Sequence, residues 1–275
     1  MTAIQTIPIG DTVVQVSGDG YPLVFVHGFT TTAEFWREQV DAFSSTYRVI
    51  RINLPGHGVS PRPTGRAYTI EAFVDDVAKV FDTLGLDQAF LVGLSMGGTI
   101  AQSFALRFPK RVRALTLVGA TPHGLGPDVN VDNVLKAIAA LGVVKASQNV
   151  IDRSFGAAAS PELLAFARNE VAQTPEFVAR EAIASLNASD SRASLARLTM
   201  PALVVVGNED FITPPAESEA LAAGIPNSSL SVIAAAGHFP MLEQPALFNR
   251  LLGDFLAASA ADAPAGRTVQ LAAAK

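Results

Sequence analysis

Short apolar runs alternate along this chain with longer segments in which apolar residues recur every three or four positions. The apolar runs predict strands at residues 13–16, 23–26, 47–53, 89–94, 112–119, 202–206 and 230–233. The segments between several of these runs have helical spacing. An alternation of this kind predicts an α/β fold, in which crossover helices connect the strands of a parallel sheet.

The most regular helical pattern lies between Thr69 and Gly85. Its apolar residues are spaced by three and four positions: Ile70, Phe73, Val74, Val77, Val80, Phe81 and Leu84. This spacing predicts a helix with one buried face, which Thr69 caps and Gly85 ends. Further helices are predicted over residues 97–108, which Pro109 ends, and over residues 247–255.

The pattern changes between residues 121 and 199, where no buried strand is predicted. The segment is rich in alanine and helical in spacing, with breaks at Gly142, Gly156, Pro161 and Pro175. Because core strands precede and follow it, we expect residues 121–199 to form a helical cap inserted into a core of residues 1–120 and 200–256. The alanine-rich tail, residues 257–275, is predicted to be mostly disordered.

The amino-acid composition excludes several classes of function. Apolar residues make up 49% of the 275 residues, enough for a sizeable core, and the net charge of −5 comes without a basic run. Nucleic acid is therefore not an expected partner, since phosphate binding needs clustered Lys and Arg. The absence of cysteine excludes a disulfide framework, a thiolate nucleophile and a cysteine-built zinc site. Four scattered histidines predict no metal site.

Targeting features are also missing from the sequence. Residues 1–10 lack the basic region and apolar core of a signal peptide, and no stretch approaches the roughly 18 apolar residues of a membrane span. We therefore expect a cytoplasmic protein that does not associate with membranes and is a monomer or a small homo-oligomer.

A motif of the form G-x-S-x-G follows the strand predicted at residues 89–94. It comprises Gly93, Leu94, Ser95, Met96 and Gly97. A serine at a sharp turn from strand to helix is held in a strained conformation that lifts its hydroxyl clear of the sheet. The alternative is a glycine-rich turn with an incidental serine. The strand before the motif and the helix after it favour Ser95 as a nucleophile.

An acid and a base follow two later strands. Asp210 comes after residues 202–206, and His238 comes after residues 230–233. The carboxyl ends of parallel strands are where ligands bind in open α/β sheets, and the order serine, acid, histidine suits a catalytic triad. We expect His238 to act as general base and Asp210 to orient it, with Glu209 as the competing acid. The alternative for Asp210 is an aspartate that only initiates a turn.

Two backbone N–H groups are expected to stabilise a tetrahedral oxyanion. One belongs to Met96, directly after the nucleophile, and the other to Phe29, in the loop that follows residues 23–26. His27, beside Phe29, is expected to shape that loop rather than to react. His57 is likewise expected to be structural, and His123 to line the entrance of the substrate pocket.

These motifs, taken together, resemble the α/β-hydrolase family. The similar segments are residues 27–29, 54–60, 93–98, 207–210 and 237–238, and the resemblance extends from about residue 12 to 256. It implies a mostly parallel, eight-stranded sheet flanked by helices, with an inserted helical cap and no cofactor. Asn53 stands where the family usually has Asp, at a structural position. Within the family, the chain is most similar to small bacterial esterases and 3-oxoadipate enol-lactonases.

The resemblance implies hydrolysis of a carboxylic ester or lactone through an acyl-enzyme on Ser95. A serine at this position argues against the epoxide hydrolases and dehalogenases of the family, which use aspartate. Three alternatives stay open: a carbon–carbon bond hydrolase of ring-cleavage products, a cofactor-free perhydrolase or haloperoxidase, and a small-molecule receptor of the same fold.

The cap is expected to set substrate choice, with Phe155 and Phe166 in the pocket. Residues 122–198 contain seven Lys and Arg against eight Asp and Glu, which gives no general attraction for an anion. A neutral and mainly apolar small-molecule substrate is therefore expected, since a buried carboxylate without a cationic partner is costly.

Overall fold

The computed structural model describes residues 3–125 and 129–260. Its eight strands form one sheet, in the order β1-β2-β4-β3-β5-β6-β7-β8. The strands are β1 Gln5–Ile9, β2 Thr12–Ser17, β3 Tyr21–Val26, β4 Tyr47–Asn53, β5 Ala89–Leu94, β6 Val112–Val118, β7 Ala202–Gly207 and β8 Ser228–Ile233. Strand β2 pairs antiparallel with β1 and β4, and every other pairing is parallel. The predicted α/β fold is confirmed.

The observed bounds of the central strands agree closely with the predicted bounds, because strands that are buried on both faces stand out in the sequence as apolar runs. Every residue of β5 and β7 is buried, so both strands are continuous apolar runs. Strand β1 was not predicted. It lies at the edge of the sheet, and its mostly exposed residues, with Pro8 among them, give no apolar run.

Nine α-helices occur in the described part of the chain. They are α1 Arg37–Phe43, α2 Ile70–Thr83, α3 Met96–Arg107, α4 Val131–Ile151, α5 Pro161–Val171, α6 Glu176–Asn187, α7 Pro215–Gly224, α8 Pro240–Glu243 and α9 Pro245–Ala260. Thr69 caps α2 as predicted, its hydroxyl accepting a hydrogen bond from Ala72 N at 3.2 Å. Helix α9 continues to Ala260, so the expectation that disorder begins at residue 257 is wrong. Residues 261–275 of that predicted tail lie outside the described residues.

Helices cover both faces of the sheet. The buried residues of α2 and α3, such as Phe73 and Phe104, pack with Val24 and Leu91 on one face. On the other face, α1 and α9 pack against strand residues such as Phe25 and Phe90. The two apolar layers hold the carboxyl ends of the parallel strands, and the loops that follow them, in fixed positions.

Helices α4, α5 and α6 occupy the chain between β6 and β7. Helix α4 contacts both α5 and α6. Gly142 interrupts α4 with φ 76° and ψ 156°, a conformation that a residue with a side chain rarely adopts, so the predicted break is present. Buried residues of α6, such as Val178 and Ala182, join the core on the α2 face. The limits 121–199 of the cap stay a prediction.

Helix α4 is also long and apolar enough to cross a membrane, judged by length and composition alone, and no other helix of the described residues is. The expectation that no stretch approaches this measure is therefore wrong. A single helix of this kind is weak support for a membrane span. In this structure α4 buries Ile138, Ala146 and Ile151 against the rest of the protein.

Candidate active site

Ser95 lies at the turn between β5 and α3 with φ 52° and ψ −117°. A non-glycine residue with positive φ in this region is strained. Its backbone N–H donates to Val118 O at 2.9 Å. A Cβ at Gly93 would collide with the backbone of Gly97, and one at Gly97 would collide with the carbonyl oxygen of His27. Both glycines are therefore required for the tight turn that presents the serine.

Asp210 and His238 form a buried pair at the carboxyl end of the sheet. The Nδ1 of His238 lies 2.8 Å from Asp210 Oδ2. The other carboxylate oxygen, Oδ1, accepts backbone N–H bonds from Ile212 and Thr213, each at 2.9 Å. Asp210 thus initiates a turn and also contacts the histidine, so it is not a residue that serves the turn alone.

The environment keeps Asp210 ionised. Burial acts to raise the pKa of Asp210, but the adjacent His238 and the hydrogen bonds from Thr213 outweigh burial and lower that pKa below its ordinary value. An ionised Asp210 accepts a hydrogen bond from the Nδ1–H of His238, which leaves Nε2 as the basic nitrogen of the neutral ring.

Glu209, the competing acid, points to a different partner. Its Oε2 accepts a hydrogen bond from Ala157 N at 2.8 Å, on the segment that follows α4. Glu209 therefore accepts a hydrogen bond from the backbone of the predicted cap, while Asp210 pairs with His238.

The two residues expected to provide the oxyanion donors lie at the cavity of the serine. Phe29 and Met96 line the same cavity as Ser95. Met96 is the first residue of α3, so its N–H has no partner within the helix. Gly28 lies against the serine, since a Cβ added to it would stand 3.2 Å from Ser95 Cβ.

The remaining histidines lie away from the serine. His27 is fully buried, and its Nε2 accepts from Leu54 N at 3.1 Å while Nδ1 donates to Gly28 O at 2.9 Å. His27 thus shapes the loop, as expected. His57 is fully buried beside it, with ring centroids 5.0 Å apart.

His123 does not line the cavity that contains Ser95, contrary to expectation. Its Nε2 pairs with Glu217 Oε2 at 3.0 Å, and its backbone forms an antiparallel bridge with Asp190. These contacts turn the imidazole into a separate polar depression, while the neighbouring Thr121 and Gly124 reach the cavity.

The cavity at Ser95 has a volume of about 490 Å³. It is lined mainly by apolar side chains, and α4 provides several of them, including Val134, Ala137 and Ile138. Among the described lining residues, Arg153 and His238 have the only ionisable side chains. A cavity of this size and character suits a small or medium-sized organic molecule.

Phe155 and Phe166 were expected in the pocket, and the structure places both elsewhere. The ring of Phe155 packs on Phe239 at a centroid distance of 4.9 Å. The ring of Phe166 packs on Phe35 at 5.6 Å, with the guanidinium of Arg37 4.0 Å from its centroid. Phe155 is buried and Phe166 partly buried between the cap segment and the core, where apolar area is removed from water without contact to the cavity.

Three residues of the site were not predicted. Thr213 donates its hydroxyl to Asp210 Oδ2 at 2.8 Å, and this hydroxyl lies 3.2 Å from His238 Nδ1. Its position three residues after Asp210 is the available sequence signal, because such turns often include a hydroxyl side chain. Phe211, 75% exposed, and Arg153 line the cavity without a sequence pattern that marks them.

Comparison with known families decides the identity of this fold. The family model described as alpha/beta hydrolase fold matches residues 21–141 and 156–245. The chain belongs to the α/β-hydrolase family. The resemblance given by the sequence motifs is confirmed.

Known relatives of this α/β-hydrolase have several activities. It is 31% identical to 2-hydroxymuconate semialdehyde hydrolase of Pseudomonas sp. (strain CF600), over 88% of each chain. It is 30% identical to 3-oxoadipate enol-lactonase 2 of Acinetobacter baylyi, over 82% of this chain and 85% of the relative. The solved structure of a thermophilic esterase from Thermogutta terrifontis, with malate bound, superimposes with a TM-score of 0.84 at 30% identity, over 94% of this chain and 99% of the other.

Proposed function

We propose that this α/β-hydrolase cleaves a carboxylic ester or lactone with Ser95 as nucleophile, His238 as general base and Asp210 as its partner. One observation supports this most directly. The strained Ser95 and His238, which is paired with buried Asp210, line one cavity together with Phe29 and Met96.

The reaction follows from this arrangement. Oγ of Ser95 attacks the substrate carbonyl carbon while Nε2 of His238 takes the hydroxyl proton. Negative charge forms on the carbonyl oxygen, where the N–H groups of Phe29 and Met96 stabilise it. The imidazolium, stabilised by Asp210, gives its proton to the leaving alkoxide as the C–O bond breaks. Water, deprotonated by His238, then attacks the acyl-enzyme and releases the acid.

The activity is tested with purified protein on p-nitrophenyl acetate and butyrate, small lactones and a vinylogous diketone, with and without EDTA. We expect repeated turnover of an ester or lactone, no loss in EDTA, and loss of activity in Ser95→Ala. A fluorophosphonate should label Ser95 in the wild type, and the variant should not be labelled.

Other outcomes of the same assays identify the alternatives. Turnover of the diketone alone would assign a carbon–carbon bond hydrolase. Peracid formation from acetate and peroxide would assign a perhydrolase. A single slow turnover with every substrate would favour a receptor of the same fold.

Arg153 favours a second candidate, in which the substrate carries a carboxylate. Arg153 is one of the residues that line the cavity, and no acidic residue occurs among the described residues that line it. A guanidinium binds a carboxylate with paired hydrogen bonds and so compensates for the loss of its hydration. The relatives named for muconate semialdehyde and oxoadipate hydrolysis are consistent with such a substrate.

We expect this candidate to be decided by kcat/KM for a neutral ester and for its ω-carboxylate analogue. If Arg153 binds the carboxylate, Arg153→Ala should reduce kcat/KM for the analogue by about 10–100-fold and leave the neutral ester nearly unchanged. Arg180→Ala is the matched control, because Arg180 is an exposed arginine of α6 that does not line the cavity. A wild-type preference for the neutral ester would instead support the substrate expected from the balance of charges in the cap.

A further inference from the structure

One carboxylate outside the triad accepts three backbone N–H groups. Glu243, the last residue of α8, is only partly exposed. Its Oε2 accepts from Gly156 N at 2.7 Å, and both of its oxygens lie 3.0 Å from Gly237 N. Its Oε1 also accepts from Phe239 N at 3.2 Å. Three N–H groups converging on one side chain define the path of the backbone around it.

Two of these donors flank His238 directly. Gly237 and Phe239 are its neighbours in the chain, so Glu243 accepts a backbone N–H group on each side of the histidine. The N–H of His238 itself donates to Ser154 O at 2.6 Å. The position of the imidazole therefore depends on Glu243 from one side and on the segment after α4 from the other.

The third donor, Gly156 N, belongs to the segment that follows α4. Gly156 follows α4 by a few residues, and the backbone of this segment lies tightly against Gly237. A Cβ at Gly237 would come within 2.7 Å of Gly156 N and collide with Ser154 O. Glu243 thus joins the loop of the histidine to the base of α4, the helix that lines the cavity.

Four charged groups lie on the elements around His238. Asp210 pairs with its ring, Glu209 holds Ala157 N, and Arg153 lines the cavity. Glu243 is the fourth. Burial raises the pKa of Glu243, although its three N–H partners and the charge of His238 act against that rise. By reciprocity, an ionised Glu243 stabilises the protonated form of His238.

We propose that Glu243 is a positioning residue for His238. It fixes the backbone on both sides of the histidine, joins that loop to the segment at the base of α4, and adds a negative charge that favours the imidazolium formed during catalysis. This inference rests on the proposed role of His238 as general base. Glu243 is not among the residues that line the cavity, so it acts through the histidine and not on the substrate.

The test is Glu243→Gln, which removes the charge and turns an amide NH₂ toward N–H donors. We expect kcat to fall about 10–100-fold, because buried N–H groups lose their acceptor, with KM changed by less than about threefold. A residue that is only structural would lower the melting temperature and leave kcat unchanged.

Glu209→Gln is the matched control. It removes the other carboxylate that binds the segment after α4, at Ala157, and leaves the histidine loop intact. Equal losses in both variants would overturn the proposal, because they would show that anchoring of that segment, and not placement of His238, is what matters. Wild-type kcat in Glu243→Gln would overturn it as well.

Glu243→Asp keeps the inference testable if the glutamine variant does not fold. The shorter side chain retains the charge but cannot reach Gly156 and Gly237 together, so kcat should fall. Unchanged kcat would contradict the positioning role. The proposed function fails if the wild type hydrolyses no ester or lactone, whereas this inference fails if the wild type is active and the Glu243 variants keep its kcat.

Discussion

At the scale of single residues, the candidate site has a strained backbone at Ser95, its proposed nucleophile. Ser95 has positive φ, and a residue held in such a region costs about 1–3 kcal/mol. The conformation persists because Gly93 and Gly97 allow neighbouring backbone to close around the turn and because Ser95 N donates to Val118 O. A substitution at either glycine would therefore disturb the serine through the backbone.

The roles proposed for the triad predict a graded loss of activity. Ser95→Ala and His238→Ala should each lower kcat by about 10³–10⁶-fold, because the nucleophile or its base is lost. Asp210→Asn should lower kcat less but still by orders of magnitude, because the amide favours the wrong tautomer of His238. Steady-state kinetics on the best ester checks these values.

Glu209→Gln provides the comparison for the acid. Its carboxylate binds Ala157 N, so the loss of kcat in this variant should be small. The assignment of Asp210 would be reversed by a severe loss in Glu209→Gln together with a mild one in Asp210→Asn.

At the scale of elements, α4 forms one wall of the cavity. Val134, Ala137 and Ile138 face the cavity before the break at Gly142, and Ala146 and Ser147 face it afterwards. The irregular backbone at Gly142 lets the chain redirect its second half, so both halves reach the cavity. Lids of this kind exclude water and select substrates.

Helix α4 should therefore control the chain length of the substrate. Val134→Phe places a larger ring at the cavity, and we expect kcat/KM for p-nitrophenyl butyrate to fall at least about tenfold relative to the acetate, since overpacking a site costs about 1–3 kcal/mol. Val144→Phe is the control on the same helix, because Val144 is 42% exposed and does not line the cavity. An unchanged ratio of butyrate to acetate in Val134→Phe would show that α4 is only a cover.

At the scale of the whole molecule, the fold buries two histidines that take no part in the proposed reaction. Burial, with a smaller contribution from Arg62, lowers the pKa of His57 to about 4, and the hydrogen bond to Pro55 O opposes this shift. Burial and the adjacent His57 lower the pKa of His27 well below its ordinary value. The folded protein therefore keeps both rings neutral in mildly acidic solution.

These lowered pKa values predict a loss of stability with acid. The unfolded chain protonates His57 near pH 6.5 while the folded chain does so near pH 4, so the free energy of unfolding falls as the pH drops between those values. His57 alone should account for about 3 kcal/mol over that range, and no further loss from this residue occurs below about pH 4. Denaturant unfolding from pH 7 to pH 4 measures this dependence.

In His57→Gln, the free energy of unfolding should depend less steeply on pH between pH 7 and pH 4, whatever the effect of the substitution on its value at pH 7. An equally steep dependence in the wild type and in His57→Gln would contradict the assignment to this buried ring.

The sequence by itself determined the parts of this protein that depend on local pattern. Strands β5 and β7 are apolar throughout because both of their faces are buried. The apolar residues of α2 are spaced by three and four positions, which marks its buried face. The positions of Ser95, Asp210 and His238 followed from the same logic, since each comes directly after a strand and parallel strands present their carboxyl ends at one edge.

Only the tertiary structure decided which side chains face the cavity. Phe155 and Phe166 were expected there because aromatic rings suit an apolar pocket, but other apolar surfaces, at Phe239 and Phe35, bury them equally well. Arg153 and Glu243 stand in stretches without a distinguishing pattern, and their surroundings come from segments far away in the chain. The direction of a side chain in a helical insertion depends on how the helices pack on the core, which local spacing does not encode.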